Sequence, residues 1–250
     1  MLWSTRTAAI VAASAALLLA PGTIHAQGNG DGFLFQRPLG SFVVRGGFAS
    51  TTTSGDLYSF LTDQFTLSKG DFRAPSIAAD LLVRVAPRLD LDFGIGYSGT
   101  KKASEFRHFV DLNNLPIQQT TSLARIPMTL GARLYLAPPG RSVGKFAWIP
   151  TKVVPYVGAG GGVMGYRFRQ TGDFIDFATT DVFPDAFESS GSTMTAHALA
   201  GVDYSLSPRL AINGEARYTW AKGRLSKDFT GFDGIDLSDI GITLGLNVRF

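Results

Sequence analysis

The stretch DLSDIGITLGLNVRF alternates with a period of two. Ile240, Ile242, Leu244, Leu246, Val248 and Phe250 share one parity, while Gly241, Thr243, Gly245, Asn247 and Arg249 share the other. Only extended backbone sends successive side chains to opposite faces, so this is a β-strand with one apolar and one polar surface. The same pattern recurs in eight segments, at 41–50, 75–86, 88–99, 121–137, 153–169, 193–206, 209–221 and 238–250. A chain patterned in this way folds as a sheet, and the question becomes which face meets water.

The connections narrow the choice. Tight turns at Ala86-Pro87-Arg88-Leu89 and Ser207-Pro208-Arg209-Leu210 place Pro where no ladder donor is needed, and PPGRSVGKFAWIPTK makes a medium connection. Four others, 51–74, 100–120, 170–192 and 222–237, are long and polar. Strict alternation of long and short is the mark of an up-and-down barrel with turns on one rim and loops on the other. Within 51–74, Ser54 or Asp56 is expected to cap a short helix carrying Leu57, Phe60 and Leu61. The 138–155 connection leaves eight strands and ten strands both open.

The first residues, MLWSTRTAAIVAASAALLLAPGTIHAQ, combine Arg6, an apolar run from Ala8 to Ala20 and small residues before Gln27. This reads as a secretory signal peptide over 1–26, followed by a periplasmic segment at 27–40 and the barrel at 41–250. The absence of Cys excludes a disulfide framework, a thiol nucleophile and an acylated cysteine. After the leader no apolar stretch is long enough for a spanning helix, so any membrane crossing requires a closed barrel. A net charge of +3 is too small to argue for nucleic acid.

Sorting each segment by parity gives apolar stripes such as Leu89, Leu91, Phe93, Ile95 and Tyr97, or Ile126, Met128, Leu130, Leu134 and Leu136. Aromatics gather near the stripe ends: Phe42, Phe48, Tyr97, Tyr156, Tyr166, Phe168, Tyr204, Tyr218, Trp220 and Phe250. That placement fits girdles at two membrane interfaces and puts the apolar face out toward lipid. The polar parity then carries Arg45, Arg84, Arg125, Arg133, Arg167, Arg217 and Arg249 against Asp80, Asp90, Asp92, Asp203, Glu215 and Asp239. A barrel of about eight strands is just wide enough for side chains to fill. These charges are therefore expected to pair into a network that plugs the lumen, since unpaired buried charge is costly.

The expected fold is all-β: an eight-stranded antiparallel up-and-down transmembrane β-barrel with four long extracellular loops. Signal peptide, loop alternation, PYVGAGGGVMGYRF, RIPMTLGARLYL and the final GLNVRF together resemble the OmpA/OmpW-like small outer-membrane β-barrel superfamily. The resemblance covers essentially the whole mature chain and brings no catalytic residues. It implies residence in the outer membrane, contact with its lipid and lipopolysaccharide, a monomer, and recognition of the Phe250 strand by the barrel-assembly machinery.

Other motifs are weaker. GGGVMG, from Gly160 to Gly165, satisfies G-x-G-x-x-G but runs on into alternating YRFRQ instead of opening a helix. His197 lacks a Ser and carboxylate in triad spacing, Leu199 being two residues on, so a lipid-modifying enzyme is the remote alternative. Loop acids Asp173, Asp176, Asp181, Asp185 and Glu188, or Asp228, Asp233 and Asp236, lack EF-hand spacing. Lys101, Lys102 and Arg107 could meet lipopolysaccharide phosphates. No catalytic residue, metal site or cofactor is expected. The expected role is structural or loop-mediated, with a narrow channel or lateral path for small solutes as the alternative.

Overall fold

The computed structural model describes residues 32–250 except 112, 145, 177, 178 and 180; the expected signal peptide and the start of the 27–40 segment lie outside the described residues. Eight long strands follow one another: β1 (Gly40–Thr51), β2 (Arg73–Ala86), β3 (Leu89–Val110) and β4 (Pro116–Tyr135), then β5 (Val153–Ile175), β6 (Val182–Ser205), β7 (Leu210–Gly223) and β8 (Asp239–Arg249). Each runs antiparallel to its chain neighbours. The last strand returns to the first, pairing Asp239 with Thr51 through to Arg249 with Ser41, so the sheet closes into a ring. Closure removes the exposed edges that an open sheet would leave. Among the described residues no helix is long and apolar enough to cross a membrane.

The seam of the ring is secured at Phe250. Its N–H donates to the Gly40 carbonyl at 3.0 Å, and its own carbonyl accepts from Leu39 and Gly40 at 2.8 and 3.2 Å. A Cβ on Gly40 would lie 2.5 Å from the Leu82 carbonyl oxygen and 3.2 Å from the Phe250 ring, so close strand approach requires glycine here. The ring of Phe250 faces outward.

The apolar parity points out along every strand. Ile242 and Leu244 are 66% and 68% exposed, and Ile77, Phe93, Met128, Leu130 and Ile240 line the same outer wall. In water such a wall would be an aggregation surface; against lipid tails it is the expected contact. The one departure from the parity expected of the sequence lies in β5. Tyr156, Tyr166 and Phe168 are buried inside instead of joining an outer girdle, and Arg167 faces outward. Register explains the reversal, because Tyr156 sits opposite Tyr135 and Tyr166 opposite Arg125, both inward residues of β4.

A second departure is length. A tilted spanning strand needs about 9–11 residues, whereas β3, β4, β5 and β6 have 22, 20, 23 and 24. Most of the expected 100–120 and 170–192 loops is therefore ladder: Thr100 pairs with Leu123 and Glu105 with Gln118, and Arg167 pairs with Ser190 and Ile175 with Val182. Past the lipid the outer face no longer needs to be apolar. The alternation that marks a strand in sequence stops there, while the hydrogen bonding continues.

Both mouths are covered. On the turn rim Gly140–Val143, Ala147–Pro150 and Leu34–Phe35 form a small separate sheet, so the 138–155 connection adds no strand to the ring. On the loop rim the expected helix is present as α1 (Asp56–Gln64). Its N-cap is Gly55 at φ 107°, not Ser54 or Asp56, with no side-chain capping bond. Asp56 instead accepts the N–H of Asp233 at 3.1 Å, tying two loops together.

Candidate functional site

The membrane-depth lumen is built from inward residues of all eight strands, and Glu215 on β7 is its hub. Its carboxylate takes Arg133 at 3.2 Å and Arg217 at 3.0 Å, and pairs closely with Arg45. Arg45 also meets Asp80 at 2.6 Å, Arg217 meets Asp80 at 3.6 Å, and Arg133 meets Asp92 at 3.5 Å. Three arginines and three carboxylates thus form one linked cluster. Arg45, Asp80, Asp92, Arg133 and Glu215 are each 5% exposed or less. Tyr156 donates to Glu215 at 3.1 Å, and the Arg133 guanidinium lies 4.2 Å from the Tyr156 ring centre.

Further pairs sit above and below this cluster. Toward the turn rim Arg84 grips Asp90 through two contacts, and Tyr135 donates to the same carboxylate at 2.9 Å. Asp203 accepts from Asn213 at 2.7 Å and Asn247 at 3.1 Å. Arg249 donates to Ser205 at 2.9 Å and stacks 5.8 Å from the Trp148 ring in the turn-rim sheet. Toward the loop rim Arg125 pairs with Asp239 at 2.8 Å and donates to the Leu237 carbonyl at 3.1 Å.

Twelve of the thirteen charges expected in the lumen are there; Arg167 is the exception, paired outside with Glu188 at 3.1 Å. Removing it leaves six arginines, Arg45, Arg84, Arg125, Arg133, Arg217 and Arg249, against six carboxylates, Asp80, Asp90, Asp92, Asp203, Glu215 and Asp239. The filled interior is therefore neutral. Parity alone misses Tyr156 as a member of the network, because it sends the aromatics of β5 to the outer wall. The signal available was Pro155-Tyr156 standing opposite Tyr135, which only register reveals.

Above the charges the interior changes character. Leu57, Tyr58 and Leu61 of α1, Phe65 and Phe72 of the same connection, Phe106, Ile117, Leu123, Met164, Phe168, Phe229, Ile235 and Leu237 form one buried apolar core. The helix thus sits in the mouth of the barrel as a plug with an oily face. Tyr58 donates to the Asp236 carbonyl at 2.8 Å, and its burial raises its pKa well above the ordinary tyrosine value. Burial alone would push the Asp236 carboxyl up. Hydrogen bonds from Thr52, Ser238 and Ser54 outweigh it and hold the group below the usual carboxylate value. Asp71 is likewise held down by the Ser68 hydroxyl and N–H, at 2.7 and 2.9 Å, with Lys102 at 3.4 Å.

The weaker motifs resolve differently. GGGVMG lies within β5, and a Cβ on Gly160 would fall 2.8 Å from the His197 ring and 2.4 Å from the Leu130 carbonyl oxygen; these glycines admit inner-wall packing, not a phosphate. His197 is buried inside the barrel, and its Nδ1 has no hydrogen-bond partner among the described residues. Among the described residues no three His, Cys, Asp or Glu side chains are grouped to hold a metal. The Lys101, Lys102 and Arg107 cluster is split: Lys102 pairs with Asp71, Arg107 donates to the Thr62 and Leu67 carbonyls at 3.2 and 3.3 Å, and Lys101 faces outward.

A closed ring with an apolar exterior and a neutralised charged interior defines a small membrane-spanning β-barrel. Residues 12–250 match the outer membrane protein beta-barrel domain, and the chain belongs to that family. It is an outer-membrane protein. No curated relative matches it. Among solved structures it is similar to Neisserial surface protein A, at 15% identity over 84% of this chain and 99% of that one, with a TM-score of 0.43. It is similar to OprG from Pseudomonas aeruginosa at 15% identity over 86% and 97%, TM-score 0.43. It is also similar to the E. coli outer membrane protein W at 16% identity over 86% and 100%, TM-score 0.37.

Proposed function

We propose that this barrel does not conduct, carries no catalytic centre, and acts through the structured rim that its long hairpins raise above the membrane. The observation that supports this is the contrast between a lumen crossed by one linked charge cluster beneath an apolar plug, with a cavity of about 80 Å³ beside the cluster, and a loop rim built to project. The β3–β4 and β5–β6 ladders continue for roughly 30 Å beyond the lipid-facing wall at about 3.3 Å per residue. Exposed Val110, Leu115, Val182 and Phe183 stand near their ends. Rigid, paired hairpins present such residues at less entropic cost than mobile loops do.

The test has two arms. In planar bilayers the purified barrel gives no discrete current, and neither does Arg133→Ala. Replacing 106–115 and 174–183 by short turns leaves a heat-modifiable barrel but abolishes surface attachment or envelope resistance in expressing cells. Stepwise conductance altered by Arg133→Ala overturns the reading, as does full function without the hairpins.

A second reading, lateral passage of a small solute through the wall, rests on a gap in one ladder. Between β3 and β4 the pairing runs to Ile95 with Met128 and resumes at Ser98 with Arg125. Pro127 lies in the gap and has no N–H to give. A cavity of about 80 Å³ behind it is lined by Arg45, Asp80 and Glu215 and reaches Ile95, Tyr97 and Pro127 of the wall. This reading predicts that Pro127→Val, which supplies a ladder donor, slows uptake of a small apolar solute into vesicles. Unchanged uptake removes it.

A further inference from the structure

The turn rim differs from the loop rim in carrying charge of one sign. Residues 32–39, 86–89, 136–152 and 206–209, which make up this rim, contain no Asp or Glu. Among the described residues they supply five exposed cations, spread over all its corners. Arg37 lies in the lead-in to β1, Arg88 in the β2–β3 turn, Arg141 and Lys152 in the β4–β5 connection, and Arg209 in the β6–β7 turn. The acids at this end of the barrel, Asp90 and Asp203, point into the lumen and are engaged there by Arg84 and by Asn213 and Asn247. None of the five cations is in an ion pair among the described residues. Counting the terminal carboxylate of Phe250 against them, five minus one leaves an excess of four positive charges. At the loop rim both signs are mixed and paired, Lys102 with Asp71 and Arg167 with Glu188.

These cations ring an apolar lid. In the small turn-rim sheet Phe35 stands opposite Ala147, and Ala147 opposite Val143, so the three share one row and one face. Trp148, the next residue along, takes the other face and is buried against the mouth, its ring 5.8 Å from the Arg249 guanidinium. Phe35, Ala147 and Val143 therefore point away from the lumen, into the periplasm that short barrel turns face. Phe35 is 72% exposed, and Phe33 packs edge-on against it with ring centres 5.5 Å apart. Phe146, whose carbonyl accepts the Gln36 N–H at 2.9 Å, is 67% exposed. This face stands over the mouth, at the centre of the rim, where lipid at the perimeter does not reach it. Apolar side chains held toward water by a paired sheet mark a docking surface.

The backbone narrows the occupant further. Gly140–Val143 is the outermost strand of this sheet, its far edge is unpaired among the described residues, and Arg141, Ser142 and Val143 are exposed along it. An unpaired edge accepts an extended segment through backbone hydrogen bonds, with alternate side chains falling on the two faces. Apolar side chains of such a segment would continue the Phe35–Ala147–Val143 row, and carboxylates beside them would answer the surrounding cations. A layer of lipid headgroups matches the cations and leaves the lid without a partner.

We propose that the turn rim docks an extended acidic segment of a periplasmic protein, with its apolar side chains on the Phe35–Val143 lid and its carboxylates among Arg37, Arg88, Arg141, Lys152 and Arg209. The site rests on the turn rim facing the periplasm and is independent of the role of the loop rim and of whether the lumen conducts.

The experiment uses the full mature chain in phosphatidylcholine nanodiscs, where both rims are accessible. It is titrated with a labelled peptide of alternating Asp and Val, and with Lys-Val and Asp-Ser peptides of the same length. Wild type binds the Asp-Val peptide more tightly than either of the others. Arg88→Gln/Arg209→Gln lowers that affinity roughly threefold to tenfold, the range expected from two exposed charge contacts. Phe35→Ser/Val143→Ser lowers it by a similar factor and leaves the weaker Asp-Ser binding unchanged. The loop-rim variant Lys101→Gln/Lys227→Gln removes the same net charge as the arginine pair and leaves the affinity unchanged. All of these side chains are exposed, and heat-modifiability checks that each variant folds. Unchanged peptide binding by Arg88→Gln/Arg209→Gln overturns the site; if that variant also loses a stabilisation that phosphatidylglycerol gives wild type, the cations serve lipid headgroups instead. An equal loss in the loop-rim variant reduces the effect to net charge and overturns it too. Equal binding of the Asp-Val peptide and either of the other two has the same consequence.

Discussion

Two interiors lie end to end inside one ring of strands. At membrane depth the inward residues are Arg45, Asp80, Asp92, Arg133, Glu215 and their partners; above it they are Leu123, Met164, Phe168 and the helix residues Leu57 and Leu61. The lower half is inverted, polar within and apolar without, because its surroundings are hydrocarbon. The upper half is an ordinary folded domain with an oily centre, because its surroundings are water. The same strands serve both, and only the solvent outside changes which parity carries the apolar side chains. Met164 and Tyr166 of β5 sit where this exchange occurs.

The comparison breaks most sharply at Glu215. Glu215→Gln leaves Arg45, Arg133 and Arg217 facing two acids in a buried cluster, and stability falls by about 3–5 kcal/mol, as for other broken buried pairs. The denaturation midpoint of the reconstituted barrel reads this directly, and loss of heat-modifiability should accompany it. An unchanged midpoint would mean that the lumen is hydrated enough to screen the charges.

Leu61→Ala strikes the other interior. It removes a fully buried side chain from the plug at a cost of about 2–4 kcal/mol. The damage is expected to stay local: limited proteolysis cuts within 51–74 while the spanning ladders remain intact and heat-modifiable. Global unfolding by Leu61→Ala would show that the two halves form a single cooperative unit.

A smaller effect comes from pH. Because the folded Asp236 carboxyl is held below its usual value, its contribution is present at neutral pH and is lost as pH falls through the acidic range below that value. Protease sensitivity of 51–74 therefore rises on acidification, and Asp236→Asn reproduces about 1 kcal/mol of that loss at pH 7. Identical pH profiles for wild type and Asp236→Asn would remove this group from the account. The smallest effect belongs to the outer surface: Arg167→Gln changes stability by under about 0.5 kcal/mol, measured by the same midpoint, since its pair with Glu188 is largely exposed.

The lower half was the legible one. Alternation fixed by lipid on one side and crowded charge on the other leaves little freedom, so Asp90, Arg133, Glu215 and Arg249 can be placed from parity alone. In the upper half the code is different. Lys101, Lys102 and Ser104 on β3, or Ser189 to Ser192 on β6, carry no apolar stripe, and their pairing depends on a hairpin already begun below. Arg167 and Phe168 escape a parity reading for a related reason: glycines at 158 and 160–162 give no parity of their own, and residues farther along take theirs from register with β4. The plug was half visible, since Leu57 and Leu61 have helical spacing. Their burial depends on Phe106 of β3, Ile117 of β4 and Phe229 of the connection between β7 and β8, all distant in sequence.

The pairing of β8 with β1 joins residues separated by roughly two hundred positions, about as non-local as a contact in this chain can be. Until that pair forms, both strands present bare N–H and C=O groups beside a row of outward Ile, Leu and Phe, the combination most prone to pairing with a wrong partner. The Phe250 bonds to Leu39 and Gly40 complete the zipper at one end. Insertion of this barrel is accordingly expected to be limited by that final pairing rather than by formation of the hairpins, and a catalyst of assembly would act best by sheltering those two strands until they meet.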